Sequence, residues 1–566
     1  MRRKMIDNGR KTTNYLSLFF LLLIVSCSKE KIGFTHDNRM ITAAMEPSNV
    51  RIVNLHWFNQ VEADGDRLTN FIFNQPDSEN EFDYPGTKYF PEGGRLGKLW
   101  NMPQELFGQR GVAHLRLSFM GVLGSPDPLE LELENSNEPV DYYLSEPAIL
   151  DKGAVVKRVP RDITSPSKAD HFKIRLINLS APGVRDNFED VHGPLSLTWA
   201  DGSSISDKLE NVAPGDHSDY VELPYGTYQF KVRTPAGTQV TGKWSRTLLL
   251  DPPSSSVVPG DSKDDSGVIY APIHSYKPGG VYTIVISPKE FNYPYPEGGP
   301  GMTLSGFQNA FEIIVDNAEA ANLTYARVQF VNALPFADEA TFALKGLATK
   351  TEHLAYATCG DYQSVIAGEY VIDVETPAGT VTEKYRIEAD RNYTVWLFHD
   401  GERVALRVVS NHLGGDRFTG TDGEDASFDR MRDAFHFKLR FLNLHAGYPH
   451  VTFTGADGQA FGGAAAAKEN LAPGEVRETD PYVWIQQLHA PIVVMTYRSS
   501  PGVVPGSWAS EVPLLGKLQF IARPELYVRG VIPEFEQGTY TVALIGSGDQ
   551  PSGDFPPRMF IVKHIK

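Results

Sequence analysis

Cysteine is almost missing from this chain: Cys27 and Cys359 are the only two in 566 residues. That excludes a disulfide-built scaffold and any zinc site made of paired cysteines. Long apolar runs are missing too. The longest spans Leu16–Val25, about ten residues broken only by Ser17, where a membrane-spanning helix needs roughly 20. There is no Gly-x-Ser-x-Gly elbow, no His-Glu-x-x-His and no phosphate-cradling glycine loop. Basic excess is absent as well: 53 Lys and Arg stand against 70 Asp and Glu, a net charge of −17. Such a balance argues against nucleic acid and against charge-driven adhesion to anionic lipid. With 39 Pro and 50 Gly, sustained helical periodicity has little room.

What is present begins with an address. Arg2, Arg3, Lys4, Arg10 and Lys11 precede the apolar run, which ends in Ile24-Val25-Ser26-Cys27. Charged start, short apolar core and small residues before a cysteine follow the order of a secretory leader. The last four resemble the lipobox of bacterial lipoproteins. The resemblance implies cleavage before Cys27, lipidation of Cys27 and a cell-envelope location. That location would be the outer membrane, with periplasmic and outward-facing display both open. Two or more acyl chains give lasting attachment. Five basic and one acidic residue leave with the leader, so the mature chain stands near −21. With Cys27 acylated, Cys359 has no disulfide partner; its surroundings, Ala357-Thr358-Cys359-Gly360, suit a small buried side chain.

Beyond the leader the pattern is alternation. Leu129-Glu130-Leu131-Glu132-Leu133-Glu134, Leu195-Ser196-Leu197-Thr198-Trp199 and Val451-Thr452-Phe453-Thr454 have the period of half-buried strands. The segments also recur. Phe172-Lys173-Ile174-Arg175-Leu176-Ile177-Asn178-Leu179 returns as Phe437–Leu444. Looser copies run Ala326–Ala333 and Val50–Leu55. Each ends at an Asn suited to bonding the backbone at a strand-to-loop corner. Ala200-Asp201-Gly202 matches Ala456-Asp457-Gly458. The Pro-Gly turn of Asn211–Asp216 matches Asn470–Glu475, with Gly360-Asp361 as the expected third copy. Thr234–Thr238 reappears whole at Thr376–Thr380, and a Tyr-Thr strand closes the units at Tyr282, Tyr393 and Tyr540.

This ordered set of strand, Asn corner, hairpin, Pro-Gly turn and Tyr-Thr strand resembles domain of unknown function family 4397. The resemblance covers the regions beginning near 172, 325 and 437, and the one near 49 more loosely. It implies a fold and an envelope address and no catalytic residues. Repetition with many short strands predicts an all-β chain of tandem Ig-like β-sandwich domains behind a lipoprotein signal peptide. The expected layout is a signal peptide over 1–26, the lipidated cysteine and tether over 27–48 and a divergent β domain over 49–165. Sandwich repeats follow over 166–320 and 321–415, then a linker over 416–436 and a divergent repeat over 437–566.

Candidate chemistry is sparse. The acidic clusters Asp64-Gly65-Asp66, Asp261–Asp265 and Asp422–Asp425 lack the spacing of a calcium loop and read as solvated turns. His399 and Asp400 are neighbours on a strand and point to opposite faces. No catalytic residue, metal site or cofactor is expected. The most distinctive feature is a duplicated aromatic loop. Glu81-Phe82-Asp83-Tyr84-Pro85 leads past Tyr89 and Phe90 to Pro91-Glu92-Gly93-Gly94. Glu290-Phe291-Asn292-Tyr293-Pro294 leads past Tyr295 to Pro296-Glu297-Gly298-Gly299. Pro and Gly place these outside regular strands, and Tyr84, Tyr89, Tyr293 and Tyr295 become the candidate ligand-stacking residues. The alternative is that the rings fold back and plug the sandwich ends. Three functional readings stay open. They are a non-enzymatic envelope module binding a glycan or an envelope protein, a structural spacer, and an enzyme of unrecognised type.

Overall fold

The structure is a computed structural model. It describes residues 45–56, 58–70, 86–91, 93–120, 127–145, 155–182, 191–242, 271–294, 303–317, 321–413, 437–477, 481–484, 492–526, 535–548 and 554–566. Cys27, Tyr84, Tyr295 and the acidic clusters at 261–265 and 422–425 lie outside these residues. Those described are all-β, as the alternation predicts; the only helical pieces among them are single 3-10 turns. Their apolar side chains gather in four separate cores, each held between two sheets.

One sheet is built on the same plan in all four sandwiches, and the first and third share both sheets. In the first, one sheet runs Leu99–Pro103, Pro47–Asn54, Val140–Ser145, Val155–Pro160. The other runs Asp66–Arg67, Gln60–Ala63, Val112–Ser118, Leu129–Glu134. Counted along the chain, that is 4-1-7-8 facing 3-2-5-6. The third sandwich repeats it in full, from Tyr325–Asn332 to Val404–Asn411. The second and fourth keep the 4-1-7-8 sheet, built around His171–Asn178 and Phe437–Asn443. Immunoglobulin domains hold their first strand at a sheet edge; here it is interior, paired parallel with the Tyr-Thr strand in three units and with Val140–Ser145 in the first. An interior parallel strand is covered on both faces. That explains the nearly unbroken apolar run: Phe172, Ile174 and Leu176 enter the second core, while Ile177 and Leu179 face the opposite way into a second apolar cluster.

The Asn that ends each opening strand turns inward and ties the corner. Asn332 Nδ2 donates to the carbonyls of Ala337 and Leu354, and its Oδ1 accepts from the Leu334 N–H. Asn443 repeats all three bonds with Tyr448, Leu471 and His445. Asn178 does so with Gly193, Val212 and Ser180. Asn54 donates to Phe58 and Gly97. All four are buried, so each brings hydrogen bonds to corner backbone that water does not reach.

One turn assignment is corrected. The N–H of Gly215 and of Gly474 bonds the carbonyl of its own corner Asn, at φ 83° and 70°. In the third sandwich that bond comes from Ala357, at φ 55°, and not from Gly360. Corner to turn spans 25 residues there against 37 and 31, and Gly360 lies three residues past the turn, so matching glycine to glycine slips the register. Gly360 is fixed instead by the Glu352 carboxylate, which occupies the place of any Cβ.

Candidate binding surface

The sheets of order 4-1-7-8 dock back to back, first sandwich on second and third on fourth. Val53, Leu55, Tyr143 and Val159 meet Ile177, Leu179, Val285 and Ile314. Val331, Trp396 and Phe398 meet Leu442, Leu444, Ala543 and Ile545. The residue three before the corner Asn lies at the centre of each junction, beside the residue it pairs with on the parallel strand: Arg51 with Asp141, Arg175 with Thr283, Gln329 with Thr394, Arg440 with Thr541.

Charge in the first junction is compensated in detail. Arg51 reaches Asp141 Oδ2 and Asp316 Oδ1, each at 2.6 Å. Arg161 adds 3.1 Å to Asp141. Thr283 and Tyr220 donate to Asp316 Oδ2, and Arg175 lies over the Tyr220 ring at 4.6 Å. Nearby, Glu312 takes Lys98 at 2.8 Å and Lys289 at 3.0 Å. Burial pushes the Glu312 carboxyl up, but the two ammonium groups outweigh it and hold it at about 2. In the second junction Gln329 Nε2 donates to His564 Nδ1 at 2.9 Å, and His564 Nε2 meets Thr541 Oγ1 at 2.7 Å. Burial, then the guanidiniums of Arg440 and Arg327, keep this imidazole well below its ordinary value. The second sandwich also abuts the other pair: Lys231 lies 3.2 Å from Glu536, and Lys566 sits over Trp199.

Of the four tyrosines singled out in the sequence, Tyr84 and Tyr295 lie outside the described residues, and the other two belong to different sandwiches. Tyr89 is half-buried on the first core beside Phe90, whose ring tilts against Trp100 at 5.0 Å, so this insert folds back. Tyr293 lies in a strand. The Tyr-Thr strand of the second sandwich runs Val281–Pro294 and pairs with Thr303–Val315, placing Tyr293 opposite Leu304. The expected exclusion by proline fails because pairing with the opening strand stops at Ile286. Beyond it the strand has an open edge, which needs no proline N–H. Asp64-Gly65 is a tight turn. Asp400 accepts from the N–H groups of Glu402 and Arg403, and burial pushes the Cys359 thiol up to about 12. Among the described residues no group of three or more His, Cys, Asp and Glu is placed to hold a metal.

The exposed aromatic cluster lies elsewhere, on the seam of the third and fourth sandwiches. Ala337 N–H bonds Leu334 C=O around Pro335 and Phe336. Phe336, at φ 69°, holds the third place of this turn, where a positive φ calls for Gly or Asn. Its ring is 69% exposed. It meets Phe555 of the fourth sandwich edge-on at 4.8 Å, and Tyr356 meets the same ring at 5.2 Å. The Arg558 guanidinium stands 5.6 Å over Tyr356. Sequence patterning passed over Phe336 because a phenylalanine after an Asn corner reads as core; the available signal was Pro335 followed by a bulky residue in a glycine position. A second exposed aromatic, Trp508, pairs with Tyr497 on the edge hairpin of the fourth sandwich.

No family model matches the chain, and no curated protein does. Among solved structures, a "putative cell adhesion protein" from Bacteroides ovatus is 9% identical, covering 42% of this chain and 95% of its own, with a TM-score of 0.15. Another so described, from Bacteroides uniformis, is 8% identical over 44% and 99%, with a TM-score of 0.12. Likeness this slight carries no argument about fold or function.

Proposed function

We propose that this chain is a non-enzymatic binding module of the cell envelope, lipid-anchored through Cys27, that engages its ligand at the seam of the third and fourth sandwiches. One observation carries the reading: Phe336 keeps an exposed ring on a backbone conformation that disfavours it. Left-handed backbone costs a side-chain-bearing residue on the order of 1 kcal/mol or more, and such strain concentrates at functional sites. A spacer gains nothing from it. An exposed ring backed by the half-buried rings of Phe555 and Tyr356 suits a ligand with a flat apolar face.

The spacer reading has its own support in the buried, charge-compensated junctions, which stiffen the chain. The two are separated by presenting the full chain, in detergent, to labelled envelope polysaccharide and envelope protein extracts. Retention that Phe336→Ala abolishes, with the melting temperature lowered by no more than a few degrees, supports the binder. Equal retention by both proteins overturns the seam as the binding site, and retention by neither supports the spacer. The anchor is tested by Cys27→Ala, which should release the protein from the membrane fraction and remove fatty-acid label.

A further inference from the structure

We propose, building on that reading, that the ligand of the seam is an acidic saccharide, its ring laid on Phe336 and its carboxylate taken by Arg558. Arg558 opens the strand Arg558–Lys563 at the outer edge of its sheet and is exposed. Its contact with the protein is the face of Tyr356, and no carboxylate lies within ion-pairing distance of it among the described residues. In a chain where acids outnumber bases by 70 to 53, many other guanidiniums have found one: Arg51, Arg116, Arg161, Arg391 and Arg498 are all paired. A guanidinium standing 5.6 Å over an aromatic ring and without an ion pair keeps its forked N–H donors available to match a carboxylate bidentately. The Tyr356 hydroxyl is enclosed and lacks a hydrogen-bond partner, a second unsatisfied polar group in the cluster.

Around this cation the surface is aromatic, so the anion must carry an apolar face. Uronic-acid sugars combine both: a ring with one C–H face and a carboxylate at its rim. Nucleic acid and anionic lipid need a broad basic patch, and a net charge of −17 opposes both. Asp338, Glu339 and Asp554 are exposed beside the cluster, so the carboxylate has to be taken by direct contact with Arg558 and not by a positive field; at about 0.15 M salt the screening length is about 8 Å.

The test measures dissociation constants of the full chain in detergent for a panel of uronate oligosaccharides, their methyl esters, neutral oligosaccharides of equal length and an oligoglutamate. The esters keep the ring and remove the charge. Acid forms should bind at least tenfold more tightly than their esters, as loss of a charged hydrogen-bonded pair implies. Arg558→Gln should erase that difference, Arg558→Lys should keep part of it, and Phe336→Ala should weaken acid and ester alike. Arg558 is exposed, so the melting temperature of Arg558→Gln should match the native chain and exclude misfolding. Equal affinity for acid and ester, or a preference that survives Arg558→Gln, overturns the acidic-sugar assignment while Phe336-dependent binding leaves the binding module standing. Preference for oligoglutamate over every sugar overturns the saccharide. No binding to any uronate overturns the inference, and the envelope-extract experiment then decides the broader reading alone.

Discussion

Arg51 and Asp316 lie 265 residues apart, in different sandwiches, and meet at 2.6 Å with both side chains buried. The same guanidinium grips Asp141 from its own sheet. One cation therefore bridges two carboxylates that would otherwise face each other in a low-dielectric junction, and Arg161, 3.1 Å from Asp141, supplies the second positive charge. Breaking a buried pair by deleting one partner costs about 3–5 kcal/mol, because the remaining charge is stranded. Arg51→Met should lower the stability of the first pair of sandwiches by that order, measured by chemical denaturation. A loss under 1 kcal/mol would mean that Arg161 alone suffices for both acids.

Acid should loosen the same junction through Glu312. Its carboxyl is held near 2 when folded, against an ordinary 4.5. A depressed folded value means that stability is complete above about pH 4.5 and is lost as pH falls toward 2. A shift of that size corresponds to about 3 kcal/mol. His564 acts likewise in the other junction, from about pH 6.5 downward, since the unfolded imidazole takes a proton that the buried one refuses. Melting temperature followed from pH 8 to pH 3 should fall in two stages. His564→Gln should flatten the first and Glu312→Gln the second; unchanged profiles in both variants would remove these groups from the account.

The parts of this fold legible in the sequence are the local ones. Alternation, the Asn corners and the glycine turns each depend on a few neighbouring residues; the repeats showed the corners four times over and the Pro-Gly turn correctly twice. The junctions were not legible, because Arg175 and Arg440 sit in strands whose Lys-x-Arg pattern looks solvent-facing, yet both are buried. Their partners come from distant segments. The Thr of the Tyr-Thr strand was seen as a repeat signature; its role beside those cations appears only when two sandwiches meet. Tyr293 was misplaced because a proline argument valid for interior strands was applied to a strand with an open edge.

The three equivalent turn positions allow a graded test of backbone strain. Nothing lies near a Cβ built on Gly215, whereas on Gly474 it would collide with the Phe398 ring across the seam. Gly215→Ala should cost about 1 kcal/mol from its positive φ alone. Gly474→Ala should cost more, since the ring must also shift. Ala357→Gly should stabilise the third sandwich by up to about 1 kcal/mol. Thermal denaturation of the three variants checks the order, and equal effects at 215 and 474 would refute the steric part.

Phe336 gives the sharpest contrast. Phe336→Ala removes the ring but keeps a side chain at φ 69°, so the backbone strain stays while the contact with Phe555 goes. An edge-on aromatic pair contributes about 0.5–1.5 kcal/mol. Phe336→Gly loses the same contact but relieves the left-handed backbone, worth about 1–2 kcal/mol. The glycine variant should therefore be at least as stable as the native chain, and about 1 kcal/mol more stable than the alanine variant. Both should lose ligand. A glycine variant less stable than alanine would show that the turn is unstrained, and with it would go the reason for reading Phe336 as retained for binding.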